Sequence, residues 1–242
     1  MILTRRRTTS LCTVVLAVAL CLSACQQSVD SPETETPELR IVTSGGFTAA
    51  YNVLAPQFEA RTGIRLVTEY GASSGGAPDS IPARLERGEQ FDVIILSRPS
   101  LDRLTEAGEV VPDSRRDLVR SSIGMAVREG APLPDISTPE AFVETLRTAA
   151  SIGYSASASG TYLSGDLLPR LGLWEELQPK SNRVVSERVA AVVARGNIEI
   201  GFQQISEILP IEGARFVGPI PSEYQKVTTF ATGITTRAIN LD

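Results

Sequence analysis

Apolar positions along the chain alternate between short runs typical of β-strands and segments with the spacing of amphipathic helices. The clearest strand is the run at 91–96, which is apolar except for one aspartate, as expected of a strand buried on both faces. Helical segments separate most of the strands, so the order favours parallel sheets covered by helices on both faces. Further strands are predicted at 39–42, 64–70, 121–127, 151–155, 198–202, 215–218 and 226–236.

Glycines and capping residues mark the ends of the predicted helices. In the first helix, the aromatic and aliphatic residues are spaced by four, three and four, which predicts one shared apolar face: Phe47, Tyr51, Leu54 and Phe58. Gly63 ends this helix. Later helices are predicted to begin at Thr138-Pro139-Glu140 and to end at Gly88, Gly108, Gly172 and Gly196.

The first 24 residues have the order of a bacterial export signal. Three arginines at 5–7 precede an apolar run at 11–22, which is too short for a membrane span and ends in small residues. The tetrapeptide Leu22-Ser23-Ala24-Cys25 resembles a lipobox, so we expect cleavage of residues 1–24 and lipid on Cys25. An ordinary signal peptide with a chance cysteine is the alternative. Residues 25–37 are polar and rich in Pro, Ser and Thr, which predicts a flexible tether to the membrane.

Composition narrows the possible chemistry. The chain has 242 residues, a net charge of −5 and no histidine. The absence of histidine excludes a Ser-His-Asp triad, a Cys-His dyad and imidazole metal sites. The acidic balance argues against nucleic acid as a partner. We expect no bound metal and no cofactor. We also expect no disulfide, because Cys25 is the one cysteine that would remain after cleavage.

Three turns of small residues follow predicted strands, at 43–48, 72–77 and 155–161. Each lies at the carboxyl end of a strand, where open α/β sheets bind their ligands. Exposed amides at helix N-termini attract anions, and small side chains let a ligand come close. A plain helix cap explains any single turn, but the three together predict an anion pocket built from neutral donors.

Residues 71–75 also match the nucleophile-elbow pattern G-x-S-x-G. A serine hydrolase would use Ser73 or Ser74, but the chain has no histidine to act as the base. We therefore expect a protein that is not an enzyme, with the hydrolase as a remote alternative.

The ordered set of segments over residues 38–236 resembles the molybdate-binding type of periplasmic solute-binding proteins. The resemblance implies the α/β two-lobe fold of type 2 periplasmic binding proteins, with two hinge-crossing strands and a ligand cleft that closes between the lobes. It rests on the turn before Phe47, the helix end at Thr62-Gly63, the turn at Ser73-Ser74, the strand start at Asp92-Val93, the helix start at Gly160-Thr161-Tyr162 and the run 171–174.

The resemblance also implies a division of the body into lobes. Lobe one is expected at 38–121 and 218–242, and lobe two at 122–217. The family normally continues past the second crossing strand with a C-terminal helix. This sequence stops at Asp242, so we expect the fold without that helix, either because the helix is missing or because the reading frame is truncated.

The family's ligand positions carry over only in part. They fall at Gly45 and Gly46 in the first turn, Ser73 and Ser74 in the second, Ser159 and Gly160 in the third, and at Val189 and Gln204 later in the chain. Two hydroxyls of the family's site are replaced, at Gly46 and Gln204, which weakens molybdate as the ligand. Arg98 and Arg120 are possible anion-binding residues that would favour a carboxylate, unless they are ordinary surface arginines.

The function implied is a lipid-anchored, extracytoplasmic and monomeric receptor of an ABC importer. It would bind a small oxyanion such as molybdate or tungstate and present it to a membrane permease. Alternatives are a receptor for a small carboxylate and a lipoprotein that has lost its ligand. Because the chain has no histidine, we expect anion affinity to stay nearly flat from about pH 6 to 8.

Overall fold

The computed structural model describes residues 36–74 and 76–240. The predicted signal peptide, Cys25 and nearly all of the tether lie outside the described residues. Within the described ranges, no helix combines the length and apolar character that a membrane span needs.

Ten strands and nine helices are found in the described part of the chain. The strands are β1 (Glu38–Ser44), β2 (Arg65–Gly71), β3 (Val93–Ser97), β4 (Arg116–Ser121), β5 (Ile123–Arg128), β6 (Ile152–Ser155), β7 (Ser181–Val184), β8 (Ile200–Gln204), β9 (Ala214–Pro219) and β10 (Thr228–Ile234). The helices are α1 (Gly45–Thr62), α2 (Ile81–Glu86), α3 (Arg98–Glu106), α4 (Pro139–Thr148), α5 (Ala158–Tyr162), α6 (Leu168–Arg170), α7 (Trp174–Leu177), α8 (Val189–Ala194) and α9 (Ile205–Ile208). A π-helical turn, Leu163–Leu167, joins α5 to α6.

The strands form two five-stranded sheets of the same design. Sheet one has the order β2-β1-β3-β10-β4, and sheet two has the order β7-β6-β8-β5-β9. In each sheet three strands pair in parallel, a fourth strand pairs antiparallel with one of them, and the fifth pairs antiparallel with the fourth. This confirms the predicted α/β two-lobe fold, in which lobe one carries sheet one and lobe two carries sheet two.

The chain passes between the sheets twice, and the two passages lie side by side. The single strand predicted at 121–127 is wrong in detail, because β4 in sheet one and β5 in sheet two are separated at Ser122. Ser121 pairs with Thr228 on β10. The Gln225 side chain accepts a hydrogen bond from the Ile123 N–H at 2.8 Å and donates to the Ile123 carbonyl at 2.9 Å. The predicted lobe boundaries remain predictions.

Helix α1 buries less of its apolar face than its spacing predicts. Phe47 and Tyr51 are buried, but Leu54 is 50% exposed and Phe58 is only half-buried. The predicted shared face is therefore correct only for the N-terminal half of the helix, the half that leads from the end of β1.

The segment after β10 is held by a buried carboxylate at the start of β3. Asp92 is 1% exposed and accepts hydrogen bonds from the backbone N–H groups of Arg40 at 2.8 Å and Ile239 at 2.9 Å. The Asn240 side-chain amide donates to it at 3.2 Å. The described residues that follow β10 contain no helix.

Candidate functional site

Two glycines at the N-terminus of α1 allow close packing, Gly45 against lobe two and Gly46 against β10 of lobe one. A Cβ on Gly45 would overlap the carboxylate of Glu207, and one on Gly46 would overlap the ring of Phe230. The Ser206 hydroxyl donates to the Gly46 carbonyl at 2.8 Å. Because glycine has no side chain, the two lobes approach closely at the positive end of an 18-residue helix.

An ion pair from lobe two lies against this helix start. Arg188 Nη1 donates to Glu207 Oε1 at 2.7 Å and reaches the Gly45 carbonyl at 3.3 Å. The Glu207 side chain is only 12% exposed. Burial raises the pKa of this carboxyl, although Arg188 and hydrogen bonds from the Gln203 side chain and the Gln204 backbone act in the opposite direction. Glu207 is therefore a carboxyl that takes up a proton more readily than an exposed glutamate.

A cleft of about 430 Å³ opens beside this pair, and we name it the front cleft. Both lobes line it, with Gly45, Thr48, Tyr70, Asp79, Ser155, Ser157, Ser186, Arg188 and Glu207 among its walls. One carboxylate oxygen of Asp79 is buried without a hydrogen-bond partner in the described structure. The cleft thus combines one guanidinium, several hydroxyls and the three carboxylates of Asp79, Glu187 and Glu207, which differ in their partners.

The backbone at the rim of the front cleft is held in an unusual conformation. Ser186 has φ 60°, and among the described residues it is the non-glycine with a positive φ. It lies in the turn between β7 and α8, directly before Glu187 and Arg188. Such conformations cost about 1–3 kcal/mol and cluster at functional sites, where they aim a group that the site needs.

A chain of serines closes the inner end of the front cleft. The Ser73 N–H in lobe one donates to Ser157 Oγ in lobe two at 3.2 Å. Ser73 Oγ accepts from the Ser97 N–H at 3.0 Å, and Ser155 Oγ lies 3.0 Å from Ser159 Oγ. These hydroxyls are already engaged within the protein, and the void among them measures only about 10 Å³. Ser73 has no histidine beside it, so the arrangement does not favour a hydrolase.

The structure brings together most of the residues that the sequence assigned to ligand binding. The residues around the central void include Gly45, Gly46, Ser73, Ser159 and Gln204. Gly160 follows directly, and its N–H donates to Ser155 Oγ at 3.3 Å. Their contact with a ligand remains a prediction.

The other predicted residues lie elsewhere. Val189 is fully buried in a small apolar cluster of lobe two and does not line the front cleft. Ser74 and Arg98 line a different groove, where Arg98 pairs with Asp117 at 3.2 Å. Arg120 is exposed on β4, in a hollow beside the crossing between the sheets. The structure thus provides no common site for Arg98 and Arg120.

Arg188 and Glu207 were absent from the sequence-based site. Glu207 lies in the first turn after β8, at the carboxyl end of a predicted strand, where ligands are expected in such sheets. That position was the available signal, whereas the pairing of the two residues depends on the folded lobe.

Comparison with known proteins identifies close relatives of this chain. Residues 39–240 match the model of a family described as bacterial extracellular solute-binding protein. An aconitate isomerase from Pseudomonas sp. is 43% identical over 200 residues, covering 83% of this chain and 76% of that protein. The molybdate-binding protein ModA from Azotobacter vinelandii is 26% identical over 210 residues, covering 82% and 74%.

Solved structures support the fold. The periplasmic molybdate-binding protein of Azotobacter vinelandii matches with a TM-score of 0.65 at 22% identity, covering 81% of this chain and 85% of that one. Peb3 from Campylobacter jejuni matches with a TM-score of 0.59 at 13% identity, covering 83% and 88%.

The expectation that the chain is not an enzyme is wrong, because a relative that is 43% identical over 83% of this chain is named as an enzyme, aconitate isomerase. The relative named for molybdate is the more distant of the two, at 26% identity. The family description agrees with the predicted location outside the cytoplasm, while lipid on Cys25 remains a prediction. The chain belongs to the family of bacterial extracellular solute-binding proteins.

Proposed function

We propose that this chain isomerises aconitate, or a closely similar small tricarboxylate, in the front cleft. The observation that carries the proposal is the Arg188–Glu207 pair at the N-terminus of α1, where a cation and a carboxyl of raised pKa face one cleft. The relative named aconitate isomerase supplies the substrate class.

The front cleft has donors suited to carboxylates. The Arg188 guanidinium can grip a carboxylate with two parallel hydrogen bonds once its contact with the Gly45 carbonyl is released. The amides at the start of α1 offer a second anion position, strengthened by the helix dipole. The hydroxyl of Ser186 lines the same cleft and adds a further donor.

The reaction needs one proton to leave carbon and one to return. Aconitate carries a CH₂ group between a carboxylate and a carbon–carbon double bond, so loss of a proton there gives an anion spread over three carbons. Return of the proton to the far carbon shifts the double bond, and rotation before reprotonation interconverts the cis and trans forms. One C–H bond breaks and another forms, with no net change in oxidation state.

Glu207 is the group placed to move this proton. Its raised pKa lets the carboxylate accept a proton and hold it until it is returned. Arg188 would stabilise the charge that develops on the neighbouring substrate carboxylate as the proton leaves. Glu207 acts as the general base and then the general acid, and Arg188 acts as the electrostatic stabiliser.

The test is to follow the interconversion of cis- and trans-aconitate by proton NMR with purified protein lacking the export signal. We expect the wild type to bring both isomers to one equilibrium and to introduce deuterium from D₂O. Glu207→Gln should lower turnover by about 10²–10⁴ while still binding aconitate. An exposed arginine of the same lobe, Arg147, pairs with Glu176 and provides the control Arg147→Gln. Wild-type protein that binds aconitate without converting it would refute the isomerase.

That last outcome corresponds to the second candidate function, a receptor that delivers a small carboxylate to an ABC importer. The two-lobe fold and the family favour it. A receptor would gain stability from aconitate, about 2.7 kcal/mol at 100 times the dissociation constant, with no product formed. A melt shifted by molybdate and not by aconitate would instead support the oxyanion receptor.

A further inference from the structure

A second groove of about 540 Å³ lies between the same two lobes, and we name it the rear groove. It shares no lining residue with the front cleft, and the small void around Ser73 and Ser157 lies next to both. Lobe one contributes Ser74 and Arg103, lobe two contributes Thr161 and Tyr162, and the segment that crosses between the sheets contributes Lys226.

The acidic side chains of the rear groove are already neutralised from outside it. Asp102 pairs with Arg115 at 2.5 Å, and Asp166 pairs with Arg170 at 3.5 Å. Neither of these arginines lines the groove. The carboxylates therefore contribute little net negative charge to the space between the lobes.

Two cations of the rear groove have no carboxylate partner among the described residues. Arg103 Nη2 donates to Ser100 Oγ at 2.8 Å, and the Lys226 ammonium lies 4.9 Å from the centre of the Tyr162 ring. Neither residue forms an ion pair in the described structure. In a chain whose net charge is −5, two cations that line one groove without a carboxylate partner indicate a site for negative charge.

We propose that the rear groove is a second binding site, for a small oxyanion that carries at least two negative charges. The shared chemistry is a doubly charged oxygen head, which a phosphate group or a polycarboxylate supplies. Arg103 of lobe one and Lys226 of the crossing segment bind it together, and the hydroxyls of Ser74 and Thr161 complete its hydrogen bonds. This site lies beyond the proposed isomerase site and does not depend on it.

An anion bound in the rear groove would change the affinity of the front cleft by favouring closure of the two lobes. Because its ligands come from both lobes and from the crossing segment, it would bind the closed arrangement more tightly than an open one. Binding at the two sites would then be positively coupled, and the coupling would be reciprocal.

The test is calorimetric titration with inorganic phosphate and, separately, with tricarballylate, a saturated tricarboxylate that cannot isomerise. The variants are R103Q/K226Q for the rear groove and R188Q for the front cleft. R61Q/R65Q removes the same charge from exposed positions outside both clefts and serves as the control.

We expect at least one of the two probes to bind wild type at a site that R103Q/K226Q weakens tenfold or more. That site should persist in R188Q and in R61Q/R65Q. Loss with phosphate alone identifies a phosphate site, and loss with tricarballylate alone identifies a polycarboxylate site. If every anion site in wild type is lost in R188Q and retained in R103Q/K226Q, the rear groove is not a site. A failed isomerase assay would leave these titrations unaffected, so the two proposals fail separately.

Discussion

Arg188 donates to Glu207 at 2.7 Å, and the pair lies against the Gly45 backbone at the junction of the two lobes. Both residues belong to lobe two, on the turns that begin α8 and α9. The pair therefore exists within one lobe and is covered by the other when the lobes approach. This arrangement gives a binding-protein fold a carboxyl with altered acidity in its ligand cleft.

Replacing Glu207 with Gln keeps the shape of the side chain and removes its ability to carry a proton. We expect kcat for aconitate interconversion to fall by about 10²–10⁴, the usual contribution of general acid–base catalysis. The affinity for tricarballylate should change much less. Steady-state kinetics and calorimetry of the one variant separate these effects, and an unchanged kcat would remove Glu207 from the mechanism.

The raised pKa of Glu207 also makes a prediction about stability. Burial favours its protonated form in the folded protein, so the ionised carboxylate destabilises the fold relative to the unfolded chain. The stabilisation is full below the ordinary glutamate pKa and is lost as the pH rises through the raised value. We expect urea unfolding across this range to show that the free energy of unfolding of wild type falls relative to that of Glu207→Gln as the pH increases. A constant difference between them would contradict the raised pKa.

Arg188→Gln removes the cation of the front cleft and leaves Glu207 unpaired. A charged hydrogen bond contributes about 1.5–3 kcal/mol, so we expect KM or Kd for tricarboxylates to rise about tenfold to a hundredfold. Arg147→Gln should leave both values unchanged. If the two variants bind equally well, the substrate carboxylate does not contact Arg188.

Gly45→Ala tests whether ligand binding requires the close contact between the two lobes at Gly45. The added Cβ would overlap the Glu207 carboxylate, so either the pair with Arg188 or the contact between the lobes must give way. We expect weaker tricarboxylate binding and a larger radius of gyration with ligand present, measured by small-angle X-ray scattering. Gly218→Ala is the control, because Gly218 lines neither cleft and its added Cβ would meet only an ordinary contact, with Ile136 at 3.7 Å.

The fold could be predicted from the sequence because its strands and helices are marked by local residue patterns. A strand buried on both faces needs an apolar run such as 91–96, and a helix that ends in left-handed backbone favours a glycine such as Gly63, with φ 73°. The break at Ser122 was not accessible, because β4 and β5 join in a continuous β-rich segment whose change of sheet is a tertiary event.

The sequence predicted only those parts of the candidate site that are formed by backbone turns. Turns of small residues after strands identified Gly45 and Ser73, but the acidity of Glu207 depends on burial by the other lobe. The lack of histidine predicted flat anion affinity near neutral pH, and Glu207 is a titrating group that composition does not reveal. Because the pKa of Glu207 is raised, the expected flat anion affinity is tested by measuring tricarballylate affinity over the pH range used for the unfolding experiments.

The carboxylate of Asp92 provides a test of stability away from the cleft. Burial alone would raise its pKa, but hydrogen bonds from Arg40, Ile239 and Asn240 outweigh burial and hold the pKa below the ordinary aspartate value. A depressed pKa means that Asp92 stabilises the fold above the ordinary value and that this contribution is lost as the pH falls through the lowered one. We expect Asp92→Ala to cost about 1–3 kcal/mol at neutral pH, because buried N–H donors lose their acceptor. Urea unfolding measures this cost, and Asp113→Ala, at an exposed position, should leave stability unchanged. A cost that persists undiminished at the lowest pH would show that Asp92 acts through packing and not through its charge.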